Sequence, residues 1–217
     1  MRLLLIRHGQ TPSNVSGSLD TRIPGPGLTA LGQAQAEAIP ATLADVPIDA
    51  IFASVQVRSQ ITAAPLAADR SLDVQVRAGI REISSGDYEM RSDRASVEEY
   101  LAVMVLWVDG EVEAQLPGGE TAADMLARFD EVVAEAYSAG YSSVAMVSHG
   151  AAIRTWSGSR ATNLSAEFIG ENPLHNTGIV ILEGTPETGW TALTYMGEAV
   201  GGAAVDDAAA GPAAETL

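Results

Sequence analysis

Three apolar runs constrain this chain more than any other feature. LLLI (residues 3–6), AIFAS (Ala50–Ser54) and SVAMVS (Ser143–Ser148) show no alternation of polar and apolar residues. A strand without alternation is buried on both faces, and such strands belong to parallel sheets covered by helices. Helical stretches lie between them. LTALGQAQAEAIPATLADV (28–46) reads as a helix with Pro40 as a kink or break, and RSQITAAPLAADR (58–70) as another. DVQVRAGI (73–80) reads as a strand. Ser96 and Glu99 have capping-box spacing ahead of an apolar run over 100–108. Thr121 and Asp124 repeat that form ahead of Met125, Phe129, Val132, Val133 and Ala136, which share one helical face closed by Gly140. A helix over 151–157 and a terminal hairpin (178–184 and 190–197) complete the pattern. The expectation is an α/β fold, a three-layer α/β/α sandwich with a mostly parallel central sheet. One domain spans 1–200, and the Gly/Ala-rich stretch 201–217 reads as a disordered tail.

Each of the three strands ends in polar residues: Arg7-His8-Gly9, Ser54 followed by Arg58-Ser59, and Ser148-His149-Gly150. Ligands of open α/β sheets bind at the carboxyl ends of the strands, where helix N-termini also point. Two histidines and two arginines therefore converge from distant positions. Arginine offers forked donors to phosphate oxygens. Neighbouring guanidinium groups keep an imidazole neutral, and a neutral imidazole is a nucleophile.

Composition narrows the chemistry. There are 12 basic residues, all arginine, so lysine Schiff-base and P-loop chemistry are excluded. The absence of cysteine removes thiolate nucleophiles and thiolate metal sites. A net charge of −16 argues against nucleic acid and anionic membranes as partners. With no apolar run long enough for a membrane span, a cytoplasmic protein is expected. There is no His-Glu-x-x-His, and two histidines fall one ligand short of the usual catalytic zinc set unless an acid completes it. No metal and no cofactor are expected. The expected partner is a small phosphomonoester, and a homodimer is left open.

LLLIRHGQTPSN with LTALGQAQA, then SVQVRSQITA, REISSGDYEM, PGGET and SHGAAIR, resembles in order the motifs of the histidine phosphatase superfamily, the phosphoglycerate-mutase-like proteins of branch 1. The resemblance covers about residues 1–185. It implies a phosphoglycerate-mutase-like fold and a two-step reaction. His8 would become phosphohistidine; Arg7, Arg58, His149 and Gly150 would bind the phosphoryl group; Glu82 would act as acid and base; Asn14 would sit near phosphate or substrate. Three departures from the family stand out. Tyr88-Glu89-Met90 replaces Trp-Glu-Gly; Leu19 to Gly27 is rich in proline and glycine; and Ile-Ser-Ser follows Glu82 where mutases carry Arg-His-Tyr. Asp87 and Glu89 are expected on an outer loop, solvated. Arg22 reads as a solvated loop residue, His175 as structural or exposed, and Asn176 as a support for the site; Trp107 and Trp156 read as packing. A phosphatase is favoured, with a mutase as the alternative and a non-catalytic phospholigand-binding protein as the reading of another class.

Overall fold

The computed structural model describes residues 1–201 and 211–212. Its order is β1 (Arg2–Arg7), α1 (Pro12–Val15), α2 (Ala30–Thr42), β2 (Ala50–Ser54), α3 (Val57–Arg70), β3 (Val74–Arg77), α4 (Arg94–Asp109), α5 (Ala122–Ser138), β4 (Ser143–Ser148), α6 (Gly150–Arg160), α7 (Ala166–Glu171), β5 (Ile179–Thr185) and β6 (Gly189–Met196). The strands form one six-stranded sheet in the order β3-β2-β4-β1-β5-β6. The pairs β3-β2, β2-β4 and β4-β1 are parallel, and β5 runs antiparallel to both of its neighbours.

The pleat explains the continuous apolar runs. Leu3 and Leu5 of β1, with Phe52, Val144 and Met146, face one core, which α4, α5 and α6 cover through Tyr100, Met104, Phe129 and Trp156. Leu4 and Ile6, with Ile51, Ala145 and Val147, face the other, covered by Ile39 and Leu43 with Ala63 and Leu66 of α3. Successive side chains point to opposite faces, so a strand with helices on both sides needs an apolar residue at every position. These are the three layers expected from the sequence.

Local expectations differ in four places. Pro40 neither breaks nor ends α2, which runs on to Thr42; lacking an N–H, the proline gives up the single bond it would donate to the carbonyl one turn earlier. The cap of α4 is Asp93, one turn earlier than expected, and its carboxylate accepts from the Ser96 amide. Strand β3 stops at Arg77, and Ala78–Ile80 is a 3-10 turn. There α5 packs so closely that a Cβ on Gly79 would stand 2.3 Å from the Arg128 carbonyl oxygen. Glu89 is not solvated: its side chain is 7% exposed. The cap of α5 by Thr121 and the buried face over Met125, Phe129, Val132, Val133 and Ala136 are as expected. Of the expected tail, Gly201, Gly211 and Pro212 are described, and the rest lies outside the described residues.

Candidate active site

Parallel register assembles the site. Arg7 of β1 pairs with Ser148 of β4, and Ala53 of β2 pairs with Val147. The three strands therefore end level: His8 follows β1 directly, His149 follows β4 directly, and Arg58 follows β2 in the first turn of α3. The chain leaves β1 toward α2 on one face and leaves β4 toward α6 on the other, which opens a crevice between the two strand ends.

His8 continues the ladder by donating its amide to the Ser148 carbonyl at 3.0 Å. Its own carbonyl accepts from Asn176 Nδ2 at 2.9 Å, so Asn176 supports the site as expected. The imidazole Nδ1 lies 2.8 Å from the Gly9 carbonyl oxygen. A carbonyl can only accept, so Nδ1 carries the proton and the Nε2 lone pair is left for the cleft. Burial, then the charges of Arg58 and Arg7, hold the His8 pKa well below its ordinary value. The ring is neutral at physiological pH and cannot easily become a cation.

Arg7 is buried and donates through Nη1 to the Leu174 carbonyl at 2.6 Å. Arg58, in the first turn of α3, donates Nε to His149 Nδ1 at 3.2 Å and Nη2 to the Asp20 carbonyl at 3.0 Å. Its Nη1 is buried without a hydrogen-bond partner among the described residues. A buried, unpartnered guanidinium donor is costly unless an anion takes it. That nitrogen lies beside Gly25, where a Cβ would approach it to 2.6 Å.

His149 is fully buried, with its ring centroid 5.1 Å from that of His8. Because Nδ1 accepts from Arg58, Nε2 carries the proton and faces Ser54 Oγ at 2.8 Å and Ser59 Oγ at 3.3 Å. Both ring nitrogens thus bond within the protein. The sequence suggests a phosphoryl ligand; the structure places His149 behind Arg58. Neither it nor Gly150, the buried first residue of α6, lines the cleft. Burial and Arg58 hold the His149 pKa well below its ordinary value.

Glu82 does line the cleft. Its Oε1 accepts from the Ile83 and Ala152 amides, each at 2.9 Å, and its Oε2 from the Ala151 amide at 3.4 Å. It caps the N-terminus of α6, for which His149 provides no side-chain cap. Those amides and the arginines favour the carboxylate, but desolvation outweighs them and raises the pKa. The result is a carboxyl group able to hold a proton and to release it. Asn14 lines the same cleft from α1, where Thr11 caps the helix and Asn14 Oδ1 accepts from the Thr11 amide at 3.0 Å. Pro212 closes part of the mouth, and Gly211 stands against Asn14.

Sequence reasoning missed the residues that hold these groups in place. Buried Arg128 donates to the Gly79 and Arg81 carbonyls at 2.6 and 2.8 Å and pairs with Glu120 at 2.8 Å, which fixes the turn bearing Glu82. Its spacing to Met125 and Phe129, on the apolar face of α5, was the available signal. Gln56 accepts from the Glu82 amide at 3.0 Å and donates to the Thr21 carbonyl at 2.9 Å. Glu89 accepts from the Thr21 amide and hydroxyl and from Ser85, tying the loop after α1 to the turn after Glu82. Arg22 is exposed, 4.0 Å from Glu89. Among the described residues, no group of three or more His, Cys, Asp or Glu stands close enough to hold a metal ion.

A sequence model of the histidine phosphatase superfamily (branch 1) matches residues 3–196. A PE-PGRS family protein of Mycobacterium tuberculosis is 34% identical over 94% of this chain and 38% of its own length, so the chain spans well under half of that relative. The adenosylcobalamin/alpha-ribazole phosphatase of Escherichia coli is 33% identical over 69% of this chain and 73% of its own. Among solved structures, a mycobacterial glucosyl-3-phosphoglycerate phosphatase in complex with VO3 superposes with a TM-score of 0.75 at 26% identity, covering 90% of this chain and 98% of that one.

Proposed function

The chain belongs to the histidine phosphatase superfamily, branch 1, and from that premise we propose that it hydrolyses small phosphomonoesters through a phosphohistidine on His8. One observation carries the reading. His8 presents a free Nε2 lone pair in a cleft lined also by Arg7, Arg58 and Glu82, whose pKa burial raises above the ordinary carboxylate value. In the first step Nε2 attacks phosphorus in line with the ester oxygen. The P–O bond breaks, and its electron pair takes the Glu82 proton, so the alcohol leaves neutral. In the second step Glu82, now a carboxylate, takes a proton from water as that water attacks phosphorus. The P–N bond breaks, phosphate leaves, and His8 returns neutral. Arg7 and Arg58 hold the phosphoryl oxygens through both steps. His149 fixes the plane of the Arg58 guanidinium through the Nε–Nδ1 bond and so holds that group in place at the cleft wall. Asn14 lies where it can meet the phosphoryl group or the ester oxygen.

A mutase must hold a second anionic group, and the cleft wall offers no cation beyond Arg7 and Arg58 among the described residues. The names of the relatives specify different leaving groups, so the reaction class carries over and the leaving group does not.

The test is turnover of an aryl phosphate by the wild type and by His8→Ala, with acid quench for a labile phosphoprotein and a parallel run after exhaustive chelation. We expect His8-dependent turnover that survives the chelator, since guanidinium groups neutralise the charge. Appreciable hydrolysis by His8→Ala overturns the assignment.

A further inference from the structure

Beyond the phosphoryl clamp and Glu82, the described residues of the cleft wall include one acid and no cation. Arg7 and Arg58 are committed to the phosphoryl group, and Glu82 to the leaving oxygen, in the reaction proposed above. Asp20 remains, with Ser18, Thr21, Tyr100 and Leu19 as neutral neighbours. Arg22, two residues away, points into solvent with its side chain 76% exposed, and its partner is Glu89.

Asp20 is anchored twice. Its carbonyl accepts from Arg58 Nη2 at 3.0 Å, so its backbone is fastened to the clamp itself. Its Oδ2 accepts from the Ser13 hydroxyl at 2.5 Å, and Ser13 is buried on α1. Oδ1 accepts no hydrogen bond from the described residues. A carboxylate oxygen held at a set place beside the clamp, with a free acceptor lobe, calls for a donor on the ligand. A second carboxylate there would meet like charge with no cation to offset it.

We propose that Asp20 is a specificity-determining residue. It accepts a hydrogen bond from a hydroxyl or ammonium group on the leaving alcohol, and it rejects leaving groups that carry a carboxylate. The substrate class is then a phosphomonoester of a polyol, sugar or amino alcohol, rather than of a hydroxy acid. This rests on the phosphatase reading above.

The test compares kcat/KM on sn-glycerol 3-phosphate and 3-phosphoglycerate, which differ only by a hydroxymethyl group in place of a carboxylate. Phosphoethanolamine serves as the ammonium arm, and an aryl phosphate reports whether the phosphatase reading holds at all. The wild type is expected to favour glycerol 3-phosphate over 3-phosphoglycerate by about tenfold or more, as uncompensated like charge requires. Asp20→Asn should shrink that ratio severalfold, chiefly by lowering KM for 3-phosphoglycerate. Asp20→Ser, checked for a native circular dichroism spectrum, is the second variant if the first misfolds. Faster turnover of phosphoethanolamine than of glycerol 3-phosphate places the donor on nitrogen; the reverse places it on oxygen. Equal use of the two three-carbon substrates by a wild type active on aryl phosphate overturns the proposal and leaves the phosphatase reading intact. So does an unchanged ratio in both Asp20 variants. Absence of His8-dependent aryl phosphate turnover overturns both.

Discussion

At the scale of single residues, two acids near each other in sequence have opposite roles. Glu82 faces the cleft with its pKa raised, whereas Glu89 holds two loops together. Glu82→Gln should slow alkyl phosphates far more than aryl phosphates, because an aryl oxide leaves without a proton. Glu89→Gln should slow both alike and lower the melting temperature, since one of its oxygens loses acceptor capacity in a buried network. Rates of the two variants on one alkyl and one aryl substrate separate these roles. The motif pattern singled out Glu82, and Glu82 lines the cleft. Glu89 was misread as a solvated loop acid because its partners, Thr21 and Ser85, include one contributed by a loop 68 residues away. The two buried histidines make stability depend on pH. Both have pKa values held below the ordinary 6.5, so below that pH the unfolded chain binds protons that the folded chain refuses. Stability therefore falls as pH drops from neutrality through that value, by up to about 1.4 kcal/mol per pH unit for each histidine. Glu82 acts in the opposite sense. Its raised pKa adds stability at pH values below the ordinary 4.5, and this is lost as pH rises through the folded value. Thermal unfolding at pH 7.5 and 5.5 in a phosphate-free buffer should show a smaller acid loss for His8→Asn than for the wild type.

At the scale of elements, the turn that aims His8 is shaped by a helix. The first turn of α2 lies against the backbone just past His8, where a Cβ on Gly32 would stand 2.2 Å from the Gln10 carbonyl oxygen. Replacing an ordinary helix glycine with alanine stabilises by up to about 1 kcal/mol. Here the sign should reverse: Gly32→Ala is expected to cost about 1–3 kcal/mol through overpacking and to lower kcat as the turn shifts. Urea unfolding and a rate on aryl phosphate check both parts. Elements whose ends depend on local chemistry were legible, as with Thr121 at the head of α5 and the apolar run of β4. Those whose ends depend on a distant neighbour were not. Strand β3 stops short because α5 crowds Gly79, and nothing in DVQVRAGI records the approach of α5. The cap of α4 was misplaced for a different reason: Asp93 and Ser96 both fit the rule, and the earlier residue with the stronger acceptor prevails.

At the scale of the whole molecule, the two-faced apolar strands announced three layers, but periodicity could not give the order of strands within the sheet. That order places β4 between β2 and β1. It also sets when the protein can take shape during synthesis. Both neighbours of β1, β4 and β5, lie in the last third of the chain, so the first strand made has no partner until residue 143 has emerged. Until then LLLI waits with two open edges, and AIFAS has only β3 beside it. Unpaired apolar strands of this kind are templates for aggregation, and long-range parallel pairing is slow to form. A fragment ending at Gly140, in the exposed turn before β4, should therefore partition into the insoluble fraction far more than the full chain does; a centrifugation assay run on both checks this. The strand that completes the cleft is also the one that ends the vulnerable stage of the chain's birth, so a ribosome stalled before it releases a hazard rather than a slower enzyme.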